Sequence, residues 1–282
     1  MIHDESLHRY PMLHAGATAF STTRHGGCGS GAYGTFNCTP YTGDEPAVVL
    51  AHQDGLCHAL GISASHLIIP YQTHSCNLLH IDEPFMQLST DARHALLQEK
   101  DALITSLPGV CLCISTADCV PVLLHDPVRQ VVAAAHAGWR GTVGHIVTHT
   151  LEAMHKHYGT RPADVYAIIG PCISLEAFEV GIEVYDAFAD AGFDMEQIAQ
   201  WHPEKEKYHI DLPMANRLQL IASGLAVEAI HDCTICTYTH HRDFFSARRL
   251  GIKSGRILSG ILMSEERRVN HPASSSLFTL NS

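Results

Sequence analysis

The chain has 282 residues, 46% of them apolar and 17% charged, a composition that suits a globular protein with an ample core. Its formal charge of −11, with no Lys/Arg-rich run, argues against a nucleic-acid partner, whose phosphates must be neutralised by many cations. No run reaches the roughly 20 apolar residues of a membrane span, and the start "MIHDESLHRYPMLHAG" lacks the basic-then-apolar layout of a signal peptide, so a cytoplasmic protein with no membrane partner is expected.

In chain order, "GATAFSTTRHGGCGSGAYGTFNCTPYTGDEP" predicts a strand followed by a glycine-rich irregular loop. Residues 47–60 have helical spacing and stop at Gly61. "HLIIPYQTH" and "CNLLHID" predict two strands, and further strands are expected at 101–105, 110–116, 120–125 and 130–136. Residues 142–158 predict a helix ended by Gly159, and "DVYAIIGP" another buried strand. "SLEAFEVGIEVYDAFADAG" opens with a capping pattern at Ser174 and predicts a partly helical segment. Residues 211–223 predict an amphipathic helix, "AIHDCTIC" and "GRILSGILM" late strands, and the final dozen residues a loose end. There is no internal repeat and no linker, so one mixed α/β or α+β domain over 1–282 is expected.

The ten cysteines are scattered, several within apolar segments such as "GVCLCIST", and read as reduced thiols. "CTIC" (Cys233, Cys236) stands without a thioredoxin pattern and reads as buried thiols. The 22 histidines suggest metals, but only one H-x-H occurs, His155 to His157, where a trinuclear copper site would need several. His145 and His149 share a helix face with no third ligand near in sequence and read as surface residues.

Three polar side chains break the pattern by standing at the ends of apolar runs. They are His74 in "YQTHS", Cys119 in "TADC" and His136 in "AHAGWRG". Two imidazoles and a thiolate, with a fourth position left to water, match an open zinc site, and copper suits the same donors. Spacing alone does not bring His74 to the other two, and each residue taken singly reads as an ordinary core group. Trp139 and Arg140 are expected to pack the corner, and Cys172 in "GPC" to lie near it.

The strings "QTHS", "TADCVPVLL", "HAGWRGT", "IGPCISLEAFEVG", "FFSARR…SGR" and "TTRHGGCGSGAYGTFN" resemble, in order over about residues 17–262, the YfiH/laccase-domain family, once labelled multicopper polyphenol oxidases. The resemblance implies an α+β fold, a four-layer α-β-β-α sandwich of two mixed sheets flanked by helices, like cytotoxic-necrotising-factor-type cysteine hydrolases. It implies that His74, Cys119 and His136 bind zinc and form the active site. It also implies an enzyme that takes small-molecule substrates, performing phosphorolysis of adenosine, inosine, guanosine or methylthioadenosine and deamination of adenosine. Arg24, in the glycine-rich loop, and Arg248 are then expected to contact phosphate or substrate, and Asn37 to shape the pocket. Two departures touch the outer pocket: Ala247 stands where an aromatic is common, and the loop from Arg249 to Arg256 is longer. Two alternatives stay open: a peptidoglycan-editing hydrolase with Cys119 as nucleophile and a histidine as base, and copper-dependent phenol oxidation. The sequence assigns no oligomeric state.

Overall fold

The apolar runs "VPVLL" and "VVAAA" become the centre of the molecule. Strands Val120–Asp126 and Val131–Ala137 pair antiparallel, with Pro121 opposite His136. Every residue of both strands is buried. Their side chains alternate between two cores: Val122, Leu124, Ala133 and Ala135 enter one cluster, Leu123, Val132 and Ala134 the other. A strand with apolar groups on both faces must be covered on both.

The computed structural model describes residues 4–11 and 15–264; the loose end expected for the final dozen lies outside them. A six-stranded sheet runs in the order Ile230–Asp232, Tyr166–Ile169, Val120–Asp126, Val131–Ala137, Ala102–Thr105 and Leu78–His80. A five-stranded sheet runs Leu7–Arg9, Ala17–Thr22, Ile257–Met263, Cys111–Thr116 and Leu67–Ile68. Both contain parallel and antiparallel pairs. Their inner faces share one core, in which Ala19, Leu112, Ile114 and Ile261 meet Leu103, Leu123, Val132 and Ile168. Burying one such large side chain is worth roughly 1.5–3 kcal/mol, so this interface resists separation of the sheets.

Helices Ile146–Tyr158 and Leu212–Ala222 cover the outer face of the six-stranded sheet through Val147, Leu151, Met154 and Leu220. Helix Pro46–Leu60 covers the outer face of the other, with Leu56 against Phe20, Cys111 and Leu258. The result is the expected α+β stack of helix, sheet, sheet and helix.

Local details differ from the sequence expectation. The strand foreseen over "HLIIPYQTH" is only Leu67–Ile68, and His74 sits beyond it in a turn with φ 61°. The helix foreseen over 142–158 is two, Trp139–Val143 and Ile146–Tyr158. The break falls at Gly144, where a Cβ would strike Cys76 Sγ at 2.4 Å, and at His145, with φ 58°. Ser174 caps no helix. Its carbonyl accepts from Ala177 and Phe178 in a turn, and the helix Ile182–Asp190 starts after Gly181. The intervening Glu179–Val180 is instead an edge strand of a three-stranded sheet with Lys207–Ile210 and Ala199–His202, which the charged hairpin "HPEKEKYH" concealed.

Gly260 lies opposite both Phe20 and Cys113 in the five-stranded sheet. A Cβ there would stand 2.6 Å from Phe20 Cζ and 2.9 Å from Cys113 Sγ. Both neighbours are fully buried. Gly260→Ala is therefore expected to cost roughly 1–3 kcal/mol by overpacking, read as a lower urea midpoint at unchanged slope. Wild-type stability in that variant would mean that the outer face is loosely packed.

Candidate active site

The alternation that builds the sheets also delivers the polar groups. His136 occupies the same parity as Val132 and Ala134, so it faces the gap between the sheets. Cys119 stands one residue before its strand, with the parity of Leu123, and reaches the same sheet end. His74 arrives from the segment that crosses from Leu67–Ile68 in one sheet to Leu78–His80 in the other. The three donor atoms lie within 4.8 Å of one another, and among the described residues this is the one such group of His, Cys, Asp or Glu. Cys119 Sγ is 3.7 Å from His74 Nε2, and the two imidazoles meet edge to face at 4.8 Å.

Asp101 holds this group in place, and no sequence signal marked it: in "EKDALIT" it reads as an ordinary acid before a strand. It is fully buried. Its Oδ1 accepts from His136 Nδ1 at 2.8 Å and from the backbone N–H of His74 at 3.0 Å. Its Oδ2 accepts from the N–H groups of Thr73 and Ser75 and from the Ser75 hydroxyl. Successive backbone N–H groups converging on one anion compensate the left-handed backbone that His74 must adopt. Donation from Nδ1 also fixes the His136 tautomer and leaves its Nε2 for the cavity.

Burial pushes the Asp101 carboxyl up, but the hydrogen bond and charge of His136, and then the Ser75 bonds, bring it down to about 2. Burial would likewise raise the Cys119 thiol, yet the charge and hydrogen bond of His136, followed by those of His74, lower it to about 6. For His136, burial disfavours the cation, but Cys119 and Asp101 outweigh it and raise the imidazole to about 9. Both shifts, down for Cys119 and up for His136, favour a thiolate beside an imidazolium in the protein without metal.

The donor set fits a metal ion. Zinc bond lengths in a tetrahedron place sulfur and nitrogen about 3.6 Å apart, close to the 3.7 Å found between Cys119 and His74. Gly138 keeps the space between the donors clear: a Cβ there would stand 2.8 Å from His74 Cδ2 and 3.0 Å from Cys119 Sγ. Softness of the donors admits zinc or copper.

These groups open onto a cavity of about 650 Å³, within the usual range for small-molecule sites. Tyr41 and Tyr71, edge to face at 5.0 Å, stand on its wall with Trp139 and Phe178. Arg248 lines it as well, its backbone N–H bonded to Asp118 Oδ2 at 2.7 Å. Arg24 is not on the wall: its Nε and Nη2 donate to the Gly34 carbonyl and its Nη1 to the His241 carbonyl, over the Phe245 ring. Asn37 is fully buried behind the wall, where it donates to Thr42 and Asp44 and accepts from the N–H groups of Thr39 and Arg256. Thr39, Thr42 and Arg256 do face the cavity, so Asn37 acts on its shape through them. Arg140 lies over the Trp139 ring at 4.2 Å, packing the corner. Cys172 and Cys236 border a second, smaller cavity.

The profile described as multi-copper polyphenol oxidoreductase laccase matches residues 18–264. A purine nucleoside phosphorylase of Bacteroides thetaiotaomicron is 52% identical over 263 residues, 93% of this chain and 96% of that protein. Adenosine deaminase RL5, from an unknown prokaryotic organism, is 44% identical over 246 residues, 87% of this chain and 94% of that protein. Among solved structures, YlmD from Geobacillus stearothermophilus superposes with a TM-score of 0.81 at 30% identity, covering 89% of this chain and 93% of that one.

Three outcomes test the site. Asp101→Asn is expected to weaken metal binding roughly 10- to 100-fold, measured by competition with a chromogenic chelator; unchanged affinity would remove its positioning role. The lowered carboxyl, about 2 against 3.8, stabilises the metal-free fold by roughly 2 kcal/mol above the unfolded value, and this is lost as pH falls towards about 2. Separately, iodoacetamide should alkylate Cys119 of the metal-free protein with a midpoint near pH 6, and zinc should suppress it; a midpoint near 9 would deny the thiolate–imidazolium pair.

Proposed function

The chain belongs to the multi-copper polyphenol oxidoreductase laccase family, that of the YfiH and YlmD proteins, and from that footing we propose that it is a zinc-dependent purine nucleoside enzyme. Its reactions are phosphorolysis of adenosine, inosine, guanosine and methylthioadenosine, and hydrolytic deamination of adenosine. The single observation that carries this is the His74–Cys119–His136 set opening onto a cavity with aromatic and arginine walls. The names of the two close relatives point to the same pair of reactions.

His74, Cys119 and His136 would hold the ion. A bound zinc would supply Lewis acidity and bring water into the range of a nucleophile near neutral pH. The chain's own residues supply the rest. Asp101 orients His136 and the His74 turn, and Gly138 keeps Cβ bulk out of the reacting space. Tyr41, Tyr71 and Phe178 offer ring faces and edges to a purine. In phosphorolysis a phosphate oxygen attacks the ribose C1′, the N-glycosidic bond breaks, and its electron pair leaves onto the purine. Arg248 is assigned to the phosphate, Asn37 to the shape of the pocket and Arg24 to bracing the glycine-rich loop behind it.

One observation favours a second function. Cys119, His136 and Asp101 line up as thiolate, imidazolium and orienting carboxylate, the arrangement of a cysteine nucleophile with its base. That arrangement would suit the peptidoglycan-editing hydrolase. Copper oxidation is the less suited, because a trinuclear cluster needs further histidine sets and the described residues hold one group.

Protein purified without added metal is expected to contain zinc, and His74→Ala, Cys119→Ala and His136→Ala each to lose it while staying folded. The wild type should release hypoxanthine from inosine only with phosphate, and convert adenosine to inosine without it. Zinc retained in two of the three variants would sink the metal assignment. Retained zinc with lost activity in Cys119→Ala would favour the nucleophile.

A further inference from the structure

Two arginines, not one, line the cavity, and neither has a carboxylate within ion-pair distance among the described residues. Among the described residues the arginine ion pair is Arg161 with Asp164 at 2.7 Å, so it is their place on the wall that sets these two apart. In a chain with 29 acidic and 18 basic residues, two guanidinium groups on one cavity wall mark where an anion would meet positive charge. Arg256 is fixed by the protein backbone: Nη1 donates to the carbonyls of Ser254 at 2.7 Å and Gly255 at 3.0 Å, Nη2 to that of Ile252 at 3.1 Å. Its own N–H is held by Asn37 Oδ1. Arg248 is fixed by Asp118 at its N–H and by the Glu179 carbonyl at Nη1, beside the Phe178 ring. The Nε–H of Arg256 and the remaining N–H groups of Arg248 have no protein acceptor among the described residues.

Carbonyls orient a guanidinium without neutralising it, and a partly desolvated cation of that kind gains most from an incoming anion. Burial lowers the Arg256 pKa, while the nearby Cys119 and Asp118 raise it; an arginine stays charged throughout. Asp118 would repel an anion, but its Oδ1 accepts from the Thr237 hydroxyl and its Oδ2 from the Arg248 N–H, which disperses its charge. The Nε–H and second Nη2–H of Arg256, with the unused N–H groups of Arg248, are the donors left for the oxygens of a phosphate dianion.

We propose that Arg248 and Arg256 together form the phosphate clamp of this cavity, taking inorganic phosphate and the phosphomonoester of a sugar 1-phosphate. This rests on the phosphorylase function proposed above and moves the second cationic contact from Arg24 to Arg256. Arg24 is held by carbonyls in the same way, those of Gly34 and His241, but it does not line the cavity and braces two loops behind it.

The test uses full-length protein of matched metal content, as wild type, Arg248→Gln, Arg256→Gln, Arg256→Lys and Arg24→Gln. Inorganic phosphate and ribose 1-phosphate are titrated at equilibrium, KM for phosphate and inosine is measured in parallel, and melting curves check folding. Phosphate affinity is expected to weaken roughly 10- to 100-fold in each Gln variant of the clamp, more than the KM for inosine changes. Lys should recover part of it, because it restores the charge without the fork. Arg24→Gln is expected to lower the melting temperature without a selective loss of phosphate. Unchanged phosphate affinity in a folded Arg256→Gln, equal losses for phosphate and nucleoside, or a selective loss in Arg24→Gln would each overturn the clamp. Phosphate binding without cleavage in the wild type would keep the clamp and remove the phosphorylase. Cleavage with an unaltered phosphate KM in both clamp variants would do the reverse.

Discussion

The buried carboxylate of Asp101 is where fold and site become one problem. It stands at the start of the strand Ala102–Thr105 in the six-stranded sheet, yet most of its partners lie on the segment that arrives from the five-stranded sheet. A carboxylate placed between two sheets would be costly unless its lone pairs were filled. Backbone N–H groups, a hydroxyl and an imidazole fill them here. The same bonds that repay desolvation fix the crossover turn, and the turn carries His74. The two sheets cannot shift past one another without moving a donor, so site geometry is inherited from core packing.

The second dependence is on backbone conformation. His74 and Asp118 both sit at positive φ, 61° and 92°, where non-glycine residues are uncommon. Each is held by interactions that would be lost if it relaxed: Asp101 grips the His74 turn, and Asp118 holds Thr237 and Arg248. Asp118 thereby ties Cys119, its neighbour in sequence, to the late segment that brings Arg248. Gly138 shows the opposite economy, since the absence of a side chain is what leaves the donors room.

Much of this was legible in the sequence because period-two alternation specifies both a strand and which face each residue takes. "VPVLL" and "VVAAA" placed Cys119 and His136 at neighbouring strand ends, and the pairing of Pro121 with His136 agrees. His74 was legible as a donor but not as a neighbour, because a turn that crosses between sheets has no periodic signature. Asp101 was illegible for a related reason: its partners are mostly backbone groups of another segment, which no motif records. The hairpin 199–210 was missed because a sheet exposed on one side, rich in Lys and Glu, looks like a loop. Arg24 and Arg256 are both held by backbone carbonyls, and what separates them is place: Arg256 lines the cavity and Arg24 does not, a difference no local sequence pattern records.

The proposed use of a single cavity for both deamination and phosphorolysis asks for two kinds of polarity that tolerate one another. The metal-ligating wall needs a thiolate and neutral imidazoles, and an adjacent anion would compete with it for cations. The chain separates these demands by residue type. The candidate metal donors are steered by a buried carboxylate, while the cavity arginines are held by carbonyls, which orient a cation and would leave its charge for a ligand. Had Arg256 been anchored by a carboxylate, the ion pair would have been satisfied already and the anion would gain little. In the proposed clamp, carbonyl anchoring would therefore be what lets a protein of net charge −11 offer a phosphate-sized anion a place beside a thiolate.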